Sequence, residues 1–331
     1  MSEPASRGDL PIINTLYHPT FLTESREEVA KFFERVFGVK STFQRTYTSS
    51  PALKYDEAYP LDYSLYTWIA DLWFDAIDPR LYNFHMSDPT RSLNRLSELA
   101  WLMRDPAAAL AACLKAGIRV YSQAGEEVRE VSQATSEAMP GIHWLVTEPA
   151  DAGMTMLLLM MDQPLGDVFG EAFEDPRLIQ HYTPPEYESA GPLTVVRTAH
   201  HTILTDDLER ARRFVRAMGG SEFKQTHNAA LNTDSTWFDL NGVVLEYTVP
   251  LDDSSQAMAE FRRKPFGLSG LEQKDVYHSV TFEVADLAAA RNHLAQCGVG
   301  LEADTEHLVL ADPQDCLGMR WGFTDQPNRA A

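Results

Sequence analysis

The chain has 331 residues, more than one compact core usually holds, so two domains are expected. Apolar residues make up 44% and charged residues 23%, as in ordinary globular proteins. A formal net charge of −20 argues against nucleic-acid backbones and anionic membrane surfaces as partners, because both repel an acidic surface. It does not by itself identify a partner, because acidity also keeps a protein soluble.

The N-terminal segment MSEPASRGDLP lacks the basic and apolar regions of a signal peptide. No stretch approaches the roughly 18 uncharged apolar residues of a spanning helix. Cys113, Cys297 and Cys316 show no CxxC spacing, so neither a disulfide framework nor a zinc knuckle is expected. These features predict a cytoplasmic protein with reduced thiols.

The first predicted element, from Tyr17, reads YHPTFLTESREEVAKFFERVFG. It is an alternating strand, an acidic turn with Ser25 as helix cap, and a helix closed by Gly38. Further strands carry Trp68 and the segment LWFDAIDP, with Asp75 inside it. A second unit starts at Ser97 with SELAWLMRDPAAALAACLKAGIRV and ends in HWLVTEPADAGM.

Both units then recur. At one constant offset His18 falls on His200, Thr20 on Thr202, Phe32 on Phe214 and Gly38 on Gly220, with Asp206 or Asp207 as the second cap. LWFDAIDP recurs as VVLEYTVP, so Asp75 meets Glu246, and Trp68 is matched with Trp237. A length difference places an insertion of the first copy in the Ser49 to Tyr59 loop. The second unit recurs from His278, pairing Asp105 with Asp286, Gly117 with Gly298 and His143 with His307.

The order is therefore module A (11–80), B (94–163), A′ (193–250) and B′ (275–326). A Pro-, Gly- and acid-rich linker occupies 164–192. The fold class is α+β: four βαβββ modules that form two units by internal duplication.

A strand opening on His, an acidic turn, a helix ending in Gly and strands closing on Glu resemble the vicinal oxygen chelate superfamily. HHTILTDDLERARRFV and DPQDCLGMRWGF match it best. That group includes glyoxalase I, methylmalonyl-CoA epimerase, extradiol dioxygenases and the bleomycin- and fosfomycin-resistance proteins. The resemblance implies two glyoxalase-like open barrels whose cupped faces hold a divalent metal (Fe, Mn, Zn, Ni or Co). Its ligands would come from the first and last strands of the modules.

Those positions hold His18 and Asp75 in A and His200 and Glu246 in A′. They hold Glu98 and about Leu157 in B, and Ser279 and about Gly322 in B′. The B-type modules are thus largely stripped of ligands, and the final strand lacks the carboxylate of an extradiol site. The preferred set is His18, Asp75, His200 and Glu246, brought together if A faces A′ within a chain or across a homodimer. If A′ pairs with B′, the trio is His200, Glu246 and His278, which needs a bulge because His278 is one place out of register. If A pairs with B′, His18 and Asp75 join His278.

Blander roles compete with these. A strand histidine is more often a hydrogen-bonded core residue than a ligand. Asp75 has an alternative as a solvated strand-end residue. Trp68 and Trp237 are candidate substrate-binding walls, although sheet-to-helix packing is the commoner use. His143 and His307 read as structural, and His201 as facing the helices or solvent.

No nucleotide, serine-hydrolase or HExxH motif stands in a suitable context. The resemblance then implies a metal-dependent lyase or isomerase acting on a small oxygenated substrate through an enolate, with His278 as candidate proton shuttle. Ring-cleaving dioxygenation and non-catalytic ligand binding are the alternatives.

Overall fold

The computed structural model describes residues 11–43, 64–80, 93–122, 124–134, 142–161, 191–228, 232–263, 265–267 and 270–330. The proposed insertion loop and nearly all of the linker lie outside these residues. Among the described residues no helix is long and apolar enough to cross a membrane.

In the first half β1 (Ile13–Leu22) leads to α1 (Arg26–Phe32), extended by a π-helical turn over Phe33–Phe37. Then come β2 (Ser41–Phe43), β3 (Ser64–Ile69) and β4 (Leu72–Ile77). The second module holds β5 (Arg95–Met103), α2 (Pro106–Lys115), β6 (Val120–Tyr121), β7 (Ile142–Thr147), α3 (Pro149–Ala152) and β8 (Met156–Met161).

The second half repeats the plan. It has β9 (Val195–Leu204), α4 (Leu208–Ala217), β10 (Ser221–Asn228), β11 (Thr233–Leu240), β12 (Val243–Pro250) and a connecting helix α5 (Gln256–Phe261). It continues through β13 (Val276–Val284), α6 (Leu287–Gln296), β14 (Leu301–Asp304), β15 (Leu308–Ala311) and β16 (Trp321–Thr324).

The helices start where short polar side chains satisfy the first free amides. Ser25 accepts from the Glu28 amide, and Asp105, Asp207 and Asp286 do the same for α2, α4 and α6. Gly117 and Gly298 follow α2 and α6 with φ of +71° and +70°, a left-handed turn that a side chain disfavours.

Each half is one eight-stranded sheet. The orders β2-β3-β4-β1-β5-β8-β7-β6 and β10-β11-β12-β9-β13-β16-β15-β14 are the same under the repeat. In every module the first strand runs parallel to the last, and β1–β5 and β9–β13 join the modules antiparallel. A therefore pairs with B, and A′ with B′.

Within one chain this overturns the assembly of A against A′. Within the chain His18 and Asp75 lie on one sheet, and His200 and Glu246 on the other. Pairing A with B′ is overturned by the same ladders. A pairs with B instead, which sets His18 and Asp75 on the same sheet as Glu98.

The helix-bearing faces of both sheets share a single apolar core. Phe33 and Phe37 lie edge-on to Trp321 of β16 at 5.8 and 5.1 Å. Burying each such side chain contributes roughly 1.5–3 kcal/mol. Two hairpins dock reciprocally: Asp71, between β3 and β4, accepts from the Thr198 amide (2.6 Å) and hydroxyl (2.8 Å). In return Asn241, between β11 and β12, donates to the Asn14 carbonyl. With the helices inside this core, the two cupped faces point away from it.

Candidate functional site

Side chains alternate along a strand, so Ile203 and Leu245 enter the helix core while His200, Thr202 and Glu246 share the cupped face of the second sheet. His200 Nε2 lies 3.6 Å from Glu246 Oε2, and both residues are buried. Thr202 Oγ1 donates to Glu246 Oε2 at 2.7 Å, and Ser235 Oγ donates to Oε1 at 2.6 Å. Trp237 stands edge-on to the His200 ring at 4.9 Å, and its indole N–H donates to Thr226 Oγ1 at 2.7 Å.

His200 itself makes no hydrogen bond among the described residues, and its Nδ1 is fully buried. Leaving such an imidazole unsatisfied costs about 1–3 kcal/mol. Burial lowers its pKa, opposed by Glu246, so it is held as the neutral base that metals bind.

The bulge that His278 requires is present. Tyr277 pairs with Ile203 and Ser279 with Thr202, which leaves His278 as the extra residue. Helix α5 covers this end: Ala257 and Phe261 pack on Leu204 and Val276, and Glu260 Oε2 lies 3.6 Å from His278 Nε2. His278 Nδ1 meets Ser279 Oγ at 3.1 Å. Burial, with Arg320 adding to it, holds the imidazole pKa well below its ordinary value. Arg320 is shared by Glu260 and Glu302.

The equivalent face of the first sheet has another character. His18 Nε2 is 3.9 Å from Asp75 Oδ2, among Tyr17, Trp73, Ala100, Leu102 and Leu159. Asp75 is buried, not solvated, and its Oδ1 has no hydrogen-bond partner among the described residues. Desolvation pushes its pKa up to about 8, opposed by the nearby Ser64 hydroxyl. The carboxyl is thus held largely neutral at pH 7.

Trp68 stacks on Trp73 at 5.7 Å and 9°, so it too lies on the cup. The match of Trp68 with Trp237 slips by two residues. The ladders set Tyr66 opposite Asp75 and Trp237 opposite Glu246, making Tyr66 the counterpart of Trp237. A slip of two keeps the face, so both tryptophans line cups rather than packing on helices. His201 faces the helix side, its Nδ1 2.6 Å from the Tyr277 hydroxyl. Burial, with His200 adding to it, takes the His201 pKa down to about 3.

No family model and no curated protein sequence matches the chain. Among solved structures, a triple mutant of 4-hydroxymandelate synthase from Streptomyces coelicolor matches across 97% of this chain and 94% of its own, with 12% identity and a TM-score of 0.57. The chain has the vicinal oxygen chelate fold. A methylmalonyl-CoA epimerase from Mycobacterium tuberculosis is also similar, over 41% of this chain and 90% of its own, at 18% identity and a TM-score of 0.35.

In this vicinal oxygen chelate fold the ladders identify which positions are level. Glu246, Thr202 and Ser279 form one row across the second sheet, and Asp75, Thr20 and Glu98 the matching row across the first. The last strand of B′ offers Gly322 in place of a carboxylate. A Cβ there would sit 2.3 Å from Thr281 Oγ1, so the neighbouring threonine fills the space. Gly322→Ala is expected to destabilise the protein by about 1–3 kcal/mol, read as a lower urea midpoint. The Thr281→Gly background should recover most of that loss.

Among the described residues no group of three His, Cys, Asp or Glu side chains converges closely enough to hold a metal. The structure brings together three pairs: His200 with Glu246, His278 with Glu260, and His18 with Asp75. His200 and Glu246 fit a divalent metal as an unsatisfied neutral imidazole beside a carboxylate. The aromatic surroundings and largely neutral carboxyl of the first cup fit one less well. Sequence reasoning missed Thr202 and Ser235, which alternation from His200 and from Trp237 would have reached. It also missed Glu260, for which a connector between modules gives no signal.

Proposed function

We propose that the protein is a metal-dependent enzyme of the vicinal oxygen chelate type. It acts on a small oxygenated substrate by proton transfer, in lyase or isomerase fashion, at the cup of the second sheet. The observation that carries this reading is the buried His200 imidazole, which has no hydrogen bond among the described residues and stands beside Glu246.

These two residues would hold a divalent metal, which when bound polarises neighbouring substrate oxygens and lowers the cost of enolate charge. Thr202 and Ser235 hold the Glu246 carboxylate in place by donating to both its oxygens. Trp237 fixes one side of the imidazole and excludes water from it. His278 would accept a proton at Nε2, which faces the Glu260 carboxyl at 3.6 Å. Ser279 orients the ring through Nδ1.

Elemental analysis of the purified protein tests the metal site. About one equivalent of Zn, Ni, Co or Mn is expected, lost in His200→Ala and Glu246→Gln and retained in Asp75→Asn. Metal content unchanged in His200→Ala would sink the assignment. Stoichiometric Fe with oxygen uptake would replace proton transfer with dioxygenation.

A further inference from the structure

Where the two halves meet, beside the start of β5 and the start of β13, lies a cavity of about 700 Å³. Its walls come from both halves, and their charges are unevenly satisfied. Glu260 is engaged by Arg320, and Glu24 Oε1 accepts from Asn94 Nδ2 at 3.1 Å.

The two remaining cations have no such partner. Arg95 makes one long hydrogen bond, Nη1 to the Arg263 carbonyl at 3.4 Å. Among the described residues, neither it nor Arg263 has a carboxylate within ion-pair distance. Burial lowers the Arg95 pKa, an effect that Glu260 opposes and Arg263 reinforces. Arg95 and the exposed Arg263 thus line the cavity without an ion-pair partner among the described residues. Leu96, Val276 and Pro313 supply apolar wall beside them, which suits a ligand with a carbon skeleton better than a bare inorganic anion.

We infer that this seam cavity binds a small organic carboxylate, with its charged end against Arg95 and Arg263 and its carbon skeleton on Leu96, Val276 and Pro313. Guanidinium groups match a carboxylate with paired hydrogen bonds. The cavity contains neither proposed metal ligand, so the inference stands or falls apart from the metal site, although His278 forms part of its wall.

Isothermal titration of the full chain with benzoate, and with inorganic phosphate for comparison, tests it. One benzoate site is expected, with phosphate at least about tenfold weaker for want of apolar contact. Arg95→Met, and separately the exposed Arg263→Met, should each weaken benzoate about tenfold or more while leaving the circular dichroism spectrum unchanged. His200→Ala and His18→Ala should bind as the wild type does. Absence of saturable benzoate binding, equal affinity for phosphate, or full affinity in both arginine variants would overturn the inference. So would loss of binding in His200→Ala or His18→Ala with retention in Arg95→Met, which would place the ligand in a cup.

Discussion

Asp75→Asn is expected to be more stable than the wild type at alkaline pH, with a gap that closes as the pH falls. Asp75 is buried against tryptophan and leucine side chains, with one oxygen unpartnered among the described residues. Its folded pKa is raised to about 8, whereas an unfolded aspartate titrates near pH 4. Between those values the folded state holds a proton that the unfolded state has released, so stability falls as pH rises through this window and levels off above it.

Each unit of separation is worth about 1.4 kcal/mol. The amide of asparagine mimics the protonated acid and does not titrate. The stability difference between variant and wild type should therefore grow by about 3 kcal/mol between about pH 5.5 and pH 8. Urea unfolding across that range reads it directly. Parallel pH profiles for the two proteins would show that Asp75 is ionised in the folded chain, and the contrast between the two cups would then be wrong.

Asp275→Ala is expected to cost about 3 kcal/mol, since it removes the buried partner of Arg210 and leaves that guanidinium only the more exposed Asp206 and Asp207. Asp275 is fully buried, accepts from Thr205 Oγ1 at 2.8 Å and pairs with Arg210. Its backbone amide, and that of Lys274, donate to the Gly153 carbonyl of the first half. Gly153 carries φ of +92°, and a Cβ there would come within 1.9 Å of Asp275 Oδ2. The pair is thus part of the join between the halves.

Replacing both charges, as in Asp275→Leu with Arg210→Met, should recover much of the loss, because no buried charge is then left alone. The single variant should lower the urea midpoint of fluorescence signals from both halves together. A loss below about 1 kcal/mol, or separate transitions in the wild type, would show that this pair does not hold the halves as one cooperative unit.

Much of this was legible in the residues. Ser25, Asp105, Asp207 and Asp286 announce their helices, because a cap acts on amides only two or three residues away. The repeat itself predicts two like units, and the resemblance of its modules led to His18, Asp75, His200 and Glu246. It also marked His278 as reachable only through a bulge, which the β13–β9 ladder contains.

Local pattern does not extend to partner choice. Strand alternation says which side chains share a face, but not which strand lies alongside, and so A was set against A′ where the ladders join A to B. The matched tryptophans slipped by two for the same reason: backbone hydrogen bonds between strands, not sequence similarity, set the register. Nor do residue types tell two chemically similar pairs apart. Hydroxyls from Thr202 and Ser235 surround Glu246, while aromatic rings and one serine surround Asp75, and desolvation then drives the two cups toward different chemistry. The duplication, the module plan and the candidate residues are properties of the sequence alone. Which of them meet, and that Asp75 is held largely neutral, follow from long-range packing, because burial and hydrogen bonding exist only once distant segments are brought together.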